Sequence, residues 1–150
     1  MSQPLSLIIV HLVFGTKDGT SSIKSTMRSH LHEYLATVVR EADGECYRVG
    51  GSVDHVHLTV RLSRSISIDE LVKELKRSSS YWVKTQYPTL PKFSWQRGYG
   101  CFSIGLEDLP AVNAYIDAQE THHQTHSFRE EYLSFLQQHG IAFDERHIFE

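Results

Sequence analysis

Val53-Asp54-His55-Val56-His57-Leu58-Thr59-Val60 reads as a strand whose successive side chains alternate between two faces. Val56, Leu58 and Val60 fall on one face; His55, His57 and Thr59 fall on the other. Two imidazoles two residues apart on a strand stand roughly 6.5–7 Å apart at the backbone and can converge on one ion. The apolar face of the same strand seats them on a core.

Working outward, Gly50-Gly51 reads as a tight turn that pairs residues 53–62 in a hairpin with a strand at 45–49. Residues 6–14 (SLIIVHLVF) form a nearly continuous, β-branched apolar run, the pattern of a strand buried on both faces in mid-sheet. Residues 23–42 have helical spacing, with Met27, Leu31, Tyr34, Leu35 and Val38 as the apolar stripe, and 69–84 repeat it with Leu71, Leu75, Ser79 and Trp82. Residues 95–104 read as a fourth strand in which Gly98 and Gly100 signal a bend or close backbone approach. A third helix at 109–121 has Asp108 as its N-cap and Pro110 in its first turn; a fourth spans 127–139 and stops at Gly140. The tail, 141–150, reads as extended or loosely packed.

The order strand, helix, strand, strand, helix, strand, followed by extra helices, is that of an α+β, ferredoxin-like split βαβ fold. It predicts an antiparallel sheet with two helices on one face and additional C-terminal helices, in a single domain over 1–150. In this topology the first and third strands are central neighbours, which sets Ile8-Ile9-Val10 beside His55 and His57.

Composition fits an ordinary globular domain, with 40% hydrophobic and 22% charged residues. The start of the chain has no basic leader, and the apolar run 5–14 is too short to span a bilayer and is broken by His11. Cys46 and Cys101 form no CxxC pair and suit small buried positions in a reduced, cytoplasmic setting. Net charge is −3, but it is unevenly distributed. Residues 73–97 carry six basic residues against one acid, whereas 106–150 carry nine acids against two arginines. The basic stretch is either a solvated helix face or a local nucleic-acid surface made by Lys73, Lys76, Arg77, Lys84 and Arg97. Trp82, Phe93, Trp95 and Tyr99 are interleaved with it, for stacking or for core packing.

On the helix at 109–121, Tyr115 and Gln119 are i and i+4 and share a face, while Val112 and Ile116 lie on another and anchor it. A hydroxyl nucleophile and a neutral amide oxygen are presented together. Read alone, such a tyrosine is a packing residue with its hydroxyl at the rim.

Three motifs in order resemble the single-tyrosine HUH transposases of bacterial insertion sequences, including the REP-associated tyrosine transposases. They are His55-Val56-His57, the aromatic, glycine-containing strand Trp95-Gln96-Arg97-Gly98-Tyr99-Gly100, and the YxxxQ helix Tyr115-Ile116-Asp117-Ala118-Gln119. The resemblance implies that His55, His57 and Gln119 hold a divalent metal, Mg²⁺ or Mn²⁺, and that Tyr115 attacks a scissile phosphorus. The products are a 5′-phosphotyrosine and a free 3′-OH. It further implies single-stranded DNA with hairpin ends as substrate and a homodimer as the assembly.

His122, His123 and His126 stand as groups behind the ligands, as phosphate contacts, or as a polar helix end. His11 reads as a satisfied buried histidine, and alternation points Asp54 away from the pair. Two other readings stay open: a catalytically idle hairpin-binding protein of the same fold, and a metal-dependent phosphoesterase acting on small substrates without Tyr115.

Overall fold

The computed structural model describes residues 2–150; Met1, within the expected domain, lies outside them. The fold is α+β, with four antiparallel strands: β1 (Ile9–Gly15), β2 (Glu45–Gly51), β3 (His55–Arg61) and β4 (Gly100–Ile104), in the order β2-β3-β1-β4. As expected, β1 and β3 are the central pair.

Helices α1 (Ser25–Glu41) and α2 (Ile68–Gln86) cover one face. Val10, Leu12 and Phe14 of β1 and Val56, Leu58 and Val60 of β3 meet Met27, Leu31, Leu35, Leu71, Leu75 and Val83 in one dry core. Residues of opposite parity on the same strands face the other way, where Val13 and Phe102 pack beneath Phe128, Tyr132 and Leu136 of α5 (Phe128–Gln138). Helices on both faces explain why β1 is apolar without alternation. Leu58 is fully buried at the centre of the first core. Leu58→Ala is therefore expected to cost about 3–5 kcal/mol, read as a lower midpoint in urea unfolding.

Helix α2 opens with a capping box: Ser67 accepts from the Glu70 amide at 3.1 Å and Glu70 accepts from the Ser67 amide at 3.4 Å. Ser79 lies on its apolar stripe because its hydroxyl accepts the Trp95 indole N–H at 2.9 Å.

Several local expectations are corrected. Strand β1 begins at Ile9, since residues 6–8 run past Arg61 and Ile104, the last paired residues of its neighbours. The register then sets Val13 opposite His57 and Gly15 opposite His55, rather than Ile8 to Val10. Gly50 and Gly51 are not the turn. They pair with His57 and Val56 inside β2, and the reversal falls at residues 52–54.

Strand β4 is also shorter than expected, because residues 95–99 leave the ladder after a single bridge between Thr16 and Trp95. That segment is tied elsewhere. The Gln96 side chain accepts from the Gly15 amide at 2.9 Å, and the Lys76 ammonium donates to the carbonyls of Gln96, Arg97 and Gly98 at 2.8, 3.0 and 2.7 Å. Asp108 makes no side-chain cap; a 3₁₀ turn at Leu106–Asp108 leads into the helix instead. The expected helix 109–121 is divided at Ala118 into α3 (Leu109–Asp117) and α4 (Gln119–His122). The tail is docked rather than loose: Ile148 and Phe149 pack on the α5 core, and Gln96 donates to the Ile148 carbonyl at 3.1 Å. Among the described residues, no helix is long and apolar enough to cross a membrane.

Candidate metal and tyrosine site

His55 and His57 project from β3 away from the α1/α2 core, and both are fully buried. What buries them is the C-terminal half of the chain. Helix α3 lies across β2 and β3, held by Ile116 against Gly50 and by the Thr59 hydroxyl donating to Asn113 at 2.7 Å. This seating carries Tyr115 to within 5.9 Å of the His57 ring, centroid to centroid, in the same chain. One turn on, Gln119 is 1% exposed and its Oε1 lies 2.9 Å from His55 Nε2. His55, His57, Tyr115 and Gln119, far apart in sequence, are thus brought together.

Three residues that the sequence reading set aside or missed shape this cluster. Asp54 does turn toward the pair, its carboxylate lying 2.8 Å from His55 Nδ1. It sits in the bend before β3, where strand alternation does not apply. His11 is buried as expected, but its Nε2 lies 2.8 Å from His57 Nδ1 and so sets the orientation of that ring. Burial, reinforced by His57, pushes His11 down to about 3, so it is neutral at pH 7. Glu131 of α5 was not foreseen. Its Oε1 accepts from His57 Nε2 at 2.9 Å, and its Oε2 accepts from Gln119 Nε2 at 3.0 Å and from the Tyr115 hydroxyl. The pattern held a signal for it: Phe128, Glu131, Tyr132 and Phe135 are i, i+3, i+4 and i+7, so Glu131 falls on the apolar stripe of its helix.

The electrostatics follow from this crowding. Burial raises the Glu131 carboxyl, but hydrogen bonds from His123, His57 and Tyr115 outweigh it and hold the group well below the usual carboxylate range. Burial, then the Glu131 carboxylate, pushes the Tyr115 hydroxyl well above the ordinary phenol range. Tyr115 is therefore a phenol at pH 7 in the metal-free protein. Burial also lowers His57, only partly offset by its bond to Glu131.

The donor pattern fits a metal ion. His55 Nδ1 lies 2.8 Å from the Asp54 carboxylate, which turns Nε2 toward the cluster. Gln119 gives its N–H to Glu131, so the atom it turns to His55 is the carbonyl oxygen. His55 Nε2 and Gln119 Oε1 stand 2.9 Å apart, both turned into the cluster. Neighbouring ligands of an octahedral ion with bonds of about 2.1 Å are themselves about 3.0 Å apart. Asp54 behind His55 and His11 behind His57 hold the two imidazoles in orientation, as outer partners do at metal centres. His55, His57 and Glu131 each offer one donor atom, all within 4.8 Å of one another. His123 Nε2 also reaches Gln119 Oε1 at 2.9 Å, whereas His122 lies at the rim and His126 is exposed. A cavity of about 620 Å³ opens beside Tyr115, walled by His11, His122 and Phe135.

The basic residues lie on another part of the surface. Lys73, Lys76, Arg77 and Arg97 border one cavity of about 410 Å³, and Lys84 lies further along α2. Lys73, Lys84 and Arg97 are exposed and make no ion pair among the described residues, while Arg77 pairs with Glu74 at 2.7 Å. Lys76 is spent on its three carbonyls; burial lowers it to about 8, which leaves it an ammonium at pH 7. Phe93 and Trp95 are buried in the core, and Trp82 stacks on Tyr34.

Comparison with known proteins gives a family and similar folds. The family model described as IS200-like transposase matches residues 4–119. A candidate transposase of Deinococcus radiodurans R1 has a similar structure, with a TM-score of 0.65 and 20% identity over 80% of this chain and 98% of that one. A REP-associated tyrosine transposase, solved bound to a REP hairpin, is similar with a TM-score of 0.59 and 16% identity over 82% of this chain and 74% of that one. Among curated proteins, none matches the chain.

Proposed function

The chain belongs to the IS200-like transposase family, and on that footing we propose that it nicks and rejoins single-stranded DNA at hairpin-bearing ends. The observation that carries this reading is the convergence of Tyr115 and Gln119 on His55 and His57 within one buried cluster. His55, His57 and Gln119 would hold a divalent cation, Mg²⁺ or Mn²⁺, which would supply positive charge for the scissile phosphate and for loss of the Tyr115 proton.

Tyr115 is the nucleophile. Its phenolic oxygen forms a bond to phosphorus, the bond from phosphorus to the 3′ oxygen breaks, and the freed 3′ oxygen takes up a proton. The phosphodiester energy is kept in the 5′-phosphotyrosine, so a second 3′-OH can reverse the step onto a new end without ATP. Lys73, Arg77, Lys84 and Arg97 contact hairpin phosphates in this reading, supported by the hairpin bound to the REP-associated neighbour. Lys76 shapes that surface through the 96–98 backbone. His123 backs the ligands from α4's end and His122 lines the cavity beside Tyr115. A homodimer remains the expected assembly, although Tyr115 already reaches the histidines of its own chain.

The test is incubation with a single-stranded hairpin oligonucleotide and Mn²⁺ or Mg²⁺, followed by a denaturing gel. A covalent protein–DNA band that disappears with EDTA is expected. Hairpin binding with no adduct under either metal would favour the idle-binder reading. Turnover of small phosphoesters that survives loss of Tyr115 would favour the phosphoesterase.

A further inference from the structure

Glu131 lies outside the residues matched by the family, on a helix added after them. Its side chain is 2% exposed and lies against the rings of His55 and His57. Taking a carboxylate out of water at that depth is costly without a compensating positive charge. No lysine or arginine among the described residues pairs with it; the groups it meets are the imidazoles of His55, His57, His122 and His123. The two oxygens do different things. Oε1 looks to the metal-holding side, 2.9 Å from His57 Nε2, 3.3 Å from His123 Nε2 and 3.6 Å from His55 Nε2. Oε2 takes the Tyr115 hydroxyl and the Gln119 amide.

Resting on the reading of the site given above, we infer that Glu131 is a further protein ligand of the divalent ion, through Oε1, and that its other oxygen positions the Tyr115 hydroxyl beside that ion. The set becomes two imidazoles, an amide oxygen and a carboxylate. A hard cation such as Mg²⁺ or Mn²⁺ gains from that added charged oxygen, which the neutral ligands alone do not offer. The arrangement also couples nucleophile and ligand set through one side chain, so that α5 locks both in place.

The experiment is a titration of the metal-free protein with Mn²⁺, read by loss of the free-ion EPR signal, with no DNA present. Glu131→Gln is nearly isosteric, and circular dichroism and a thermal melt verify that it folds. It is expected to weaken Mn²⁺ binding by at least about tenfold. Glu131→Asp keeps the charge on a shorter stem and is expected to bind Mn²⁺ more tightly than Glu131→Gln. With DNA, the Mn²⁺ concentration giving half-maximal adduct should rise in step in Glu131→Gln, and the adduct rate at saturating Mn²⁺ should also fall, because the carboxylate no longer holds the Tyr115 hydroxyl. Unchanged or tighter Mn²⁺ binding in Glu131→Gln, or binding by Glu131→Asp no better than that variant, overturns the inference. The double variant His55→Ala, His57→Ala separates this from the underlying reading. If it loses Mn²⁺ while Glu131→Gln does not, only the role of Glu131 fails. If it retains wild-type affinity, the metal site itself is wrong.

Discussion

Tyr115→Phe is expected to form no covalent adduct with single-stranded hairpin DNA, a loss of at least about 10³-fold, because it deletes the attacking oxygen and little else. The ring stays where it is. It meets Phe135 edge-on at 5.8 Å and His57 at 5.9 Å between centroids, contacts that a phenylalanine keeps. Glu131 Oε2 loses one donor but retains the Gln119 amide at 3.0 Å. Stability should therefore move by no more than about 1 kcal/mol. Metal and hairpin binding, which use other atoms, should stay within a few-fold of the original protein. Adduct yield on a denaturing gel, compared with Mn²⁺ and hairpin affinities for the same preparation, reads all three. An adduct that survives the substitution removes Tyr115 from its role.

Gly50→Val should lower the adduct rate by about 10²-fold or more without touching any residue of the chemistry. Helix α3 approaches β2 so closely at this point that a Cβ on Gly50 would meet Ile116 Cγ2 at 2.5 Å and the Ile116 carbonyl at 2.7 Å. The backbone cannot yield as a flexible side chain would, so the helix must lift from the sheet. Tyr115 precedes Ile116 directly and Gln119 follows one turn later, so both leave the histidines together. The α1/α2 core lies on the opposite face and is untouched, so the far-ultraviolet spectrum and cooperative unfolding should persist with a reduced melting temperature. The same variant should bind Mn²⁺ more weakly, because Gln119 moves with the helix. A wild-type adduct rate in Gly50→Val would show that the seating of α3 on β2 does not position the nucleophile.

How far the sequence foretold this arrangement depends on the kind of signal each residue carries. Strand alternation is local, and it placed His55 and His57 on one face and Val56, Leu58 and Val60 on the other as the structure has them. The i, i+4 spacing of Tyr115 and Gln119 held through the division at Ala118, and both reach Glu131. The order of elements was enough to predict that β1 and β3 would be neighbours.

Other features depend on information that local patterns lack. The β1–β3 register came out several residues from the expected one, and only the true register brings His11 beside His57. Strand alternation misplaces Asp54, which stands in a bend where its carboxylate turns back toward His55. Gly50 looked like a turn residue because glycine pairs usually are, yet what it provides is room for a helix. Glu131 was legible in principle, as the one acid on the apolar stripe of its helix. Nothing in the sequence says which buried groups that stripe will meet. The basic surface illustrates the converse: a charge run counts residues but cannot tell Lys73, free in solvent, from Lys76, committed to three carbonyls.

A phenolic oxygen of this chain is expected to take the phosphorus of single-stranded DNA. The most direct test is to isolate the Mn²⁺-dependent adduct, digest it with trypsin and nuclease, and locate the remaining nucleotide by mass spectrometry. The expected product is a nucleotide joined through its 5′-phosphate to Tyr115 and to no other side chain. A nucleotide found on any other residue would contradict it, as would a protein that binds the hairpin and the metal yet yields no adduct.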